Sequence, residues 1–219
     1  MDDKLSEEGL KQTARDSVAA GDQIRERIRD LTLQALQQRK FDYTGFQSVL
    51  KSMTEGISLG AEKHGTQMRI ALSEAFAGMD QALMKAAQAG SLAMKELASR
   101  GKEFSDRDLK QSLEQMKRLE GDFLDIARQV SQTTRGAVRS EWQELLAHTQ
   151  RAGTDTGAVV AQTMREFSGK MATNIADTTA ASLEVARQFG ERFAQAASGF
   201  LLGMSEALKP EDKSKSTKR

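Results

Sequence analysis

The sequence predicts an all-α protein, and three observations lead to that fold class. Proline occurs once in the 219 residues, at Pro210, so the usual breaker of helices is absent from the rest of the chain. Strong helix formers such as alanine, leucine, methionine and glutamine are plentiful, whereas valine and isoleucine are scarce. Apolar residues recur at steps of three and four, the spacing of one helix face. Because only 38% of the residues are apolar, the core is expected to be thin.

The first two predicted helices cover residues 6–40 and 44–100. Their boundary is FDYTG, in which Thr44 has the residue type of an N-cap, and the second helix is expected to stop at Gly101. The apolar positions of the first helix are Leu10, Ala14, Val18, Gly21, Ile24, Ile28, Leu31 and Ala35.

A third helix is predicted over residues 106–150 and a fourth over 156–208. Ser105 to Asp108 has the sequence of a capping box, which would begin the third helix. The stretch RAGTDTG separates the two helices, and its glycines, Gly153 and Gly157, are interpreted as turn residues. Residues 209–219 are expected to form a disordered basic tail. We therefore predict one elongated domain over 1–208, built as an antiparallel bundle or coiled-coil-like array of four long amphipathic helices.

An eleven-residue repeat runs through the second and fourth predicted helices. Its steps are four, three and four residues, or about 3.67 residues per turn, which keeps an apolar stripe nearly straight along a helix. The second helix carries Phe46, Leu50, Met53, Ile57, Ala61, His64, Met68, Leu72, Ala75, Met79, Leu83, Ala86, Gly90, Met94 and Leu97. The fourth carries Val160, Met164, Phe167, Met171, Ile175, Thr178, Ser182, Ala186, Phe189, Phe193, Ala197, Phe200, Met204 and Leu208.

Two interpretations of these stripes remain open at this point. In the first, the helices hide the stripes in a bundle, where glycines such as Gly56 and Gly60 allow close packing or a bend. In the second, the stripes open toward lipid, a hydrophobic polymer or the helices of a partner. Alanine, glycine, threonine and methionine occupy many of the positions, and a core of such residues specifies one packing less tightly than leucine and isoleucine do.

Several classes of protein are disfavoured by composition. The formal net charge is +1 and charges of both signs are interleaved before the tail, so nucleic acid is not expected as a partner. The chain has no cysteine, which fits a reducing compartment. The acidic start MDDKLSEEGLKQ is unlike a signal peptide. The twelve uncharged residues from Ala194 to Ser205 are fewer than the roughly 20 that span a bilayer, so no transmembrane segment is expected.

No catalytic, metal or cofactor site is predicted. Of the two histidines, His64 is interpreted as partly buried and hydrogen-bonded, and His148 as a surface partner of Glu144 one turn away. A helical metal site would need a second such motif. Trp142 and Tyr43 stand alone, so no stacking platform for single-stranded nucleic acid is expected. We expect that the protein is not an enzyme.

Three blocks of the sequence carry a resemblance. RKFDYTGFQSVLKSMTEGISLGAEKHG, FSDRDLKQSLEQMKRLEGDFL and ASGFLLGMSEAL resemble an uncharacterised bacterial family of all-helical proteins, a domain of unknown function, over nearly the whole chain. That resemblance implies no activity and no site residues. The helices rich in alanine, methionine and glutamine, with the basic tail, are also similar to phasins, which coat polyhydroxyalkanoate granules. Eleven-residue repeats recur in apolipoproteins as well, and this implies a pattern suited to reversible lipid binding.

The functional hypothesis is a phasin-like or scaffolding protein of the cytoplasm, peripheral on a granule or membrane surface. Its expected interaction surface is the most apolar part of the chain, formed by Phe189, Phe193, Phe200, Leu201, Met204 and Leu208. Self-association is also expected. The alternatives are a coiled-coil component that binds only protein, and a membrane-perturbing protein with ASGFLLGM as its inserting tip.

Overall fold

The computed structural model describes residues 6–38, 43–99 and 106–171. These residues contain only helices, which confirms the all-α prediction. In chain order they are α1 (Glu7–Ala19), α2 (Ile24–Gln38), α3 (Tyr43–Ala61), a 3₁₀ segment (Glu62–Gln67), α4 (Met68–Ser99), α5 (Asp106–Thr133), α6 (Gly136–Ala152) and α7 (Asp155–Met171).

The first predicted helix is two helices, so the prediction of one helix over 6–40 is wrong. The hydroxyl of Ser6 accepts the N–H of Gly9 and begins α1. Gly21, which the sequence places on the apolar stripe, has φ +82 and ends that helix. Helices commonly end with a left-handed glycine just past their last residue, and such a glycine gives no periodicity signal.

The second predicted helix is also broken, in the middle of its repeat. The 3₁₀ segment contains Gly65 with φ +53 and ψ −117, which no α-helix accommodates. The series of apolar positions therefore crosses a turn at His64 instead of following one helix over 44–100. The helix before the turn begins at Tyr43, so Thr44 lies inside it and is not its N-cap.

The turns at Gly21 and Gly65 make two hairpins, α1 with α2 and α3 with α4, and these lie side by side. Ser48 donates to the carboxylate of Glu7, so the starts of α1 and α3 are neighbours. Gln38 precedes Tyr43 by five residues, and the end of α2 is therefore within about 18 Å of the start of α3. Since α2 must return toward the start of α1, the two helices are antiparallel.

Three glycines bring the hairpins into close contact. A methyl group on Gly56 or Gly60 would overlap the backbone of α1, at the carbonyl oxygens of Lys11 and Arg15. A methyl group on Gly78 of α4 would overlap the carbonyl oxygen of Arg25 in α2. The close-packing interpretation of Gly56 and Gly60 is thus confirmed. Arg25 also binds Glu74 through two hydrogen bonds of 2.9 and 2.8 Å.

A third hairpin, α5 and α6, completes the main core. The predicted helix over 106–150 is wrong in its continuity, because Thr134 and Arg135 separate α5 from α6. The start of α5 at Asp106 agrees with the prediction, while Ser105 of the proposed capping box lies outside the described residues. The indole N–H of Trp142 in α6 donates to the hydroxyl of Ser58 in α3 at 2.9 Å.

The last described helix, α7, begins at Asp155, one residue before the predicted boundary. Gly153, with φ +81, is a turn residue as predicted, but Gly157 lies in the first turn of the helix, so its interpretation as a turn residue is wrong. The remainder of the fourth predicted helix and the tail 209–219 lie outside the described residues.

The repeat positions are buried, but so are their neighbours. From Phe46 to Met94 the apolar members of the series are at most 9% exposed. Ala71, Phe76, Ala87 and Ala93, which lie off the series, are also buried. The buried face of α4 is therefore wider than a single stripe.

Candidate docking region at the smaller core

The buried apolar residues form two separate clusters, which we call the main core and the smaller core. Among the described residues the main core contains twenty-seven side chains from six helices, including the stacked pair Phe76 and Phe123, whose ring centroids are 4.7 Å apart. Within the same described ranges the smaller core contains six side chains, from α4, α5 and α7. Its members are Ala87, Met94, Leu113, Met116, Val160 and Phe167. Helices α4 and α5 pass through both clusters, whereas α7 contributes only to the smaller one.

The N-terminus of α7 is fixed by Asp80, a carboxylate of α4 that is 7% exposed. Its two oxygens accept the backbone N–H groups of Asp155 at 2.8 Å and Thr156 at 3.1 Å. The hydroxyl of Thr156 donates in return to the backbone carbonyl of Asp80 at 3.0 Å. A carboxylate at this position is favoured by charge-assisted hydrogen bonds and by the helix dipole.

The other two N–H groups of that first turn are satisfied by Thr154. Its hydroxyl accepts the N–H of Gly157 at 2.8 Å, and its carbonyl accepts the N–H of Ala158 at 3.1 Å. The same hydroxyl donates to the carboxylate of Glu120 on α5 at 2.6 Å. A methyl group on Gly157 would overlap that carboxylate. The N–H groups of Asp155, Thr156 and Gly157, which a helix leaves without an internal partner, are therefore all bound here.

The far part of α7 has a more open contact with α4. An open groove of about 370 Å³ lies between the two helices. An ion pair of 2.7 Å joins Lys95 and Glu166 beside it, and Gln162 donates to the same carboxylate at 3.1 Å. The hydrogen bond from Lys95, followed by that from Gln162, holds the pKa of Glu166 below its ordinary value. Leu92 in the groove is 46% exposed.

The residues predicted as the interaction surface lie outside the described part of the chain. They are Phe189, Phe193, Phe200, Leu201, Met204 and Leu208. What the structure does place is the beginning of the same apolar series: Val160 and Phe167 are buried in the smaller core. Met164, between them, is half-buried and packs against it.

The sequence reasoning missed Asp80, Glu120 and Thr154. Thr154 had a detectable signal, since threonine followed by aspartate is typical of a helix start. Asp80 is an acidic residue within an apolar segment, directly after Met79, and its partner is 75 residues away. No local pattern connects the two.

The two histidines lie in different surroundings. His64 is half-buried, and its Nε2 lies 2.6 Å from the carbonyl oxygen of Val18, next to the turn at Gly21, which confirms its interpretation. His148 is exposed, and Glu144 forms an ion pair of 3.0 Å with Arg69. Within the described ranges, no three His, Cys, Asp or Glu side chains are grouped so that they could hold a metal ion.

Comparison with known families places the chain in one of them. The model of DUF6781, a family of unknown function, matches residues 1–210. The chain belongs to DUF6781. No curated protein and no solved structure matches it.

Membership of DUF6781 agrees with the resemblance to an uncharacterised helical family, and it assigns no activity. The similarity to phasins and the bacterial source stay predictions. In the portion of this DUF6781 chain that the structure describes, no helix is long and apolar enough to cross a bilayer.

Proposed function

We propose that this DUF6781 protein is a non-catalytic, phasin-like protein that associates with an apolar granule or lipid surface through its last helix. The observation that supports the proposal is the position of α7. Its apolar series begins in the protein's own smaller core, where Val160 and Phe167 are buried. By spacing, the series continues to Phe189, Phe193 and Phe200.

The composition of the smaller core suits a helix that exchanges contacts within the protein for contacts with a granule or lipid surface. Met94 and Met116 contribute flexible, polarisable side chains that adapt to different neighbours. The six side chains that the described residues bury in this cluster remove far less apolar surface from water than the twenty-seven of the main core do. A helix held in this way is drawn from the less stable part of a protein, as binding elements commonly are.

The proposal includes an arrangement of the whole chain. The helices form an elongated antiparallel bundle with coiled-coil-like contacts, and the protein self-associates and acts as a scaffold on the surface that it covers. It is located in the cytoplasm, peripheral on a granule or membrane.

Flotation tests this function directly. We expect the full-length protein to float with polyhydroxyalkanoate granules or with neutral phospholipid vesicles in a density gradient. The double variant Phe193→Ser, Phe200→Ser should bind at least about a hundredfold more weakly, because burying each phenylalanine is worth about 1.5–3 kcal/mol. Ile70→Ser is the matched control, since Ile70 is 65% exposed on α4 and lies outside both cores. If the double variant stays folded and floats like the parent, the last helix is not the docking face.

A second candidate function is self-association without lipid binding. The open groove between α4 and α7 favours it, because exposed Leu92 beside the Lys95–Glu166 pair is the kind of surface on which an amphipathic helix docks. Light scattering after size exclusion would then give a stable oligomer in plain buffer. In that case the parent would not float, and Phe193→Ser, Phe200→Ser would weaken the oligomer instead.

A further inference from the structure

We infer that Met164 is a redox modification site, at which a peroxide oxidises the thioether to a sulfoxide and thereby disturbs the packing of α7 in the smaller core. Reduction of the sulfoxide restores that packing. The inference goes beyond the proposed function, and it holds whether or not the protein meets a granule or lipid surface.

Methionine supplies all the sulfur chemistry of this protein. The chain has ten methionines and no cysteine. A thioether takes up one oxygen atom reversibly, and the product is a polar side chain that disrupts apolar cores. Because this reaction requires contact between oxidant and sulfur, the burial of each methionine decides which of them reacts first.

Burial sorts the methionines whose side chains the structure describes into two groups. Met84 and Met164 are half-buried. The others are at most 9% exposed, namely Met53, Met68, Met79, Met94 and Met116. Within the described part of the chain, Met84 and Met164 are therefore the methionines that a peroxide in solution should reach most readily.

Met164 and Met84 differ in what they contact. Met164 packs against the smaller core, whose buried members include Val160 and Phe167 of the same helix. These two residues lie four positions before Met164 and three after it, so all three share one face of α7. Among the described side chains, Met84 of α4 is not one of the partly buried residues that pack against either core. Oxidation of Met164 thus places a polar atom beside buried apolar side chains.

The oxidation balances with hydrogen peroxide as the oxidant. A lone pair of the Met164 sulfur attacks one peroxide oxygen, so that an S–O bond forms and the O–O bond breaks. The departing hydroxide takes the proton of the transferred oxygen and leaves as water, and sulfur loses the two electrons that peroxide gains. Burying the sulfoxide oxygen against apolar side chains without a hydrogen-bond donor is unfavourable. The oxidised side chain consequently turns toward water and withdraws from the core.

Hydrogen exchange of the full-length protein after mild peroxide treatment tests the inference. Peptide mass spectrometry should find one added oxygen on Met164 before Met79 and Met94 react. Amides in 158–167 should then exchange at least about tenfold faster than in the untreated protein, which corresponds to about 1.4 kcal/mol in opening free energy. Methionine sulfoxide reductases for both epimers, with a thiol reductant, should restore the original rates.

Three substitutions sharpen the test. Met164→Leu keeps an apolar side chain of similar volume that peroxide does not oxidise, so treatment should leave exchange in 158–167 unchanged. Met84→Leu is the matched control and should respond to peroxide as the parent does. Met164→Gln places an amide oxygen at the same position and should exchange faster in 158–167 without any peroxide.

Three results would each overturn the inference. The first is oxidation of Met164 that is no faster than that of buried Met79. The second is accelerated exchange that persists in treated Met164→Leu, and a response that begins at Met1, Met171 or Met204 would appear in this way, because both leucine variants retain them. The third is unchanged exchange in the parent when Met164 is fully oxidised.

Discussion

The two cores share helices and sequence pattern, yet they are built very differently. In the main core, α4 and α5 pack against paired helices that approach through Gly56, Gly60 and Gly78, and around Trp142, which is fully buried. In the smaller core, within the described ranges, the same two helices meet α7, which buries Val160 and Phe167 there and packs Val159 and Met164 against them. The comparison teaches that an apolar periodicity specifies which face of a helix is buried. How firmly that helix is held depends on the number and size of the side chains that pack against the face.

The largest expected effect is at Leu83, which is fully buried in the main core. Leu83→Asp places a carboxylate where water cannot reach it, so we expect a loss on the order of 4 kcal/mol or more in the free energy of unfolding. Leu92→Asp is the matched control on the same helix, because Leu92 is 46% exposed. Urea titration followed by circular dichroism measures both. Similar losses at the two positions would contradict the assignment of α4's buried face.

Phe167→Ala should separate the two cores. We expect a loss of about 3 kcal/mol, because a buried phenylalanine is removed, and the loss should be confined to the smaller core. Trp142 is the only tryptophan and lies in the main core, so its fluorescence reports that core alone.

The measurement compares two urea denaturation curves, one followed by the helical signal in circular dichroism and one by tryptophan fluorescence. In this variant the helical signal should begin to fall at a lower urea concentration than the tryptophan signal. One coincident transition, shifted as a whole, would show that the two cores unfold together.

The sequence predicts which residues are helical better than it predicts where one helix ends and the next begins. Steps of three and four residues identify the buried positions of α1 to α4, including Leu10, Met53 and Met79. The same steps continue through Gly21 and past Gly65, and so they conceal two turns. A glycine has no side chain with which to break an apolar pattern, and it adopts a φ of +82 or +53 without the steric cost that other residues meet there.

The candidate site is harder to predict, because its contacts are distant in the chain. Asp80 lies 75 residues from the helix that it caps, and Glu120 lies 34 residues from Thr154. Neither is distinguishable from other acidic residues by local sequence. Val160 and Phe167, by contrast, were predicted as apolar positions of the last helix, because their burial follows from helical spacing alone.

A smaller effect is expected when the N-terminal cap of α7 is altered. Asp80→Ala leaves the N–H groups of Asp155 and Thr156 without their acceptor, so we expect α7 to lose about 1–2 kcal/mol. Asp80→Asn retains one acceptor oxygen and should lose less. Hydrogen exchange in 155–167 should be slowest in the parent, faster in the Asp80→Asn variant and fastest in the Asp80→Ala variant. Faster exchange in the Asn variant than in the Ala variant would argue against a capping role.

The smallest effect concerns pH and the far end of α7. The pKa of Glu166 is lowered, first by the hydrogen bond from Lys95, so the folded protein binds this proton at lower pH than the unfolded chain does. The stability that the pair contributes is therefore complete above the ordinary value of 4.5 and is lost as pH falls through the lowered pKa.

The pKa of Asp16 in α1 is also lowered, first by a hydrogen bond from Gln12, but that contact lies within one helix. Acidification from pH 6 to 3 should thus loosen α7 through Glu166, and this part of the loss should be absent in Glu166→Gln and retained in Asp16→Asn. The thermal midpoint of the α7 transition measures it, and an unchanged pH dependence in Glu166→Gln would show that the Lys95 contact does not hold the two helices together.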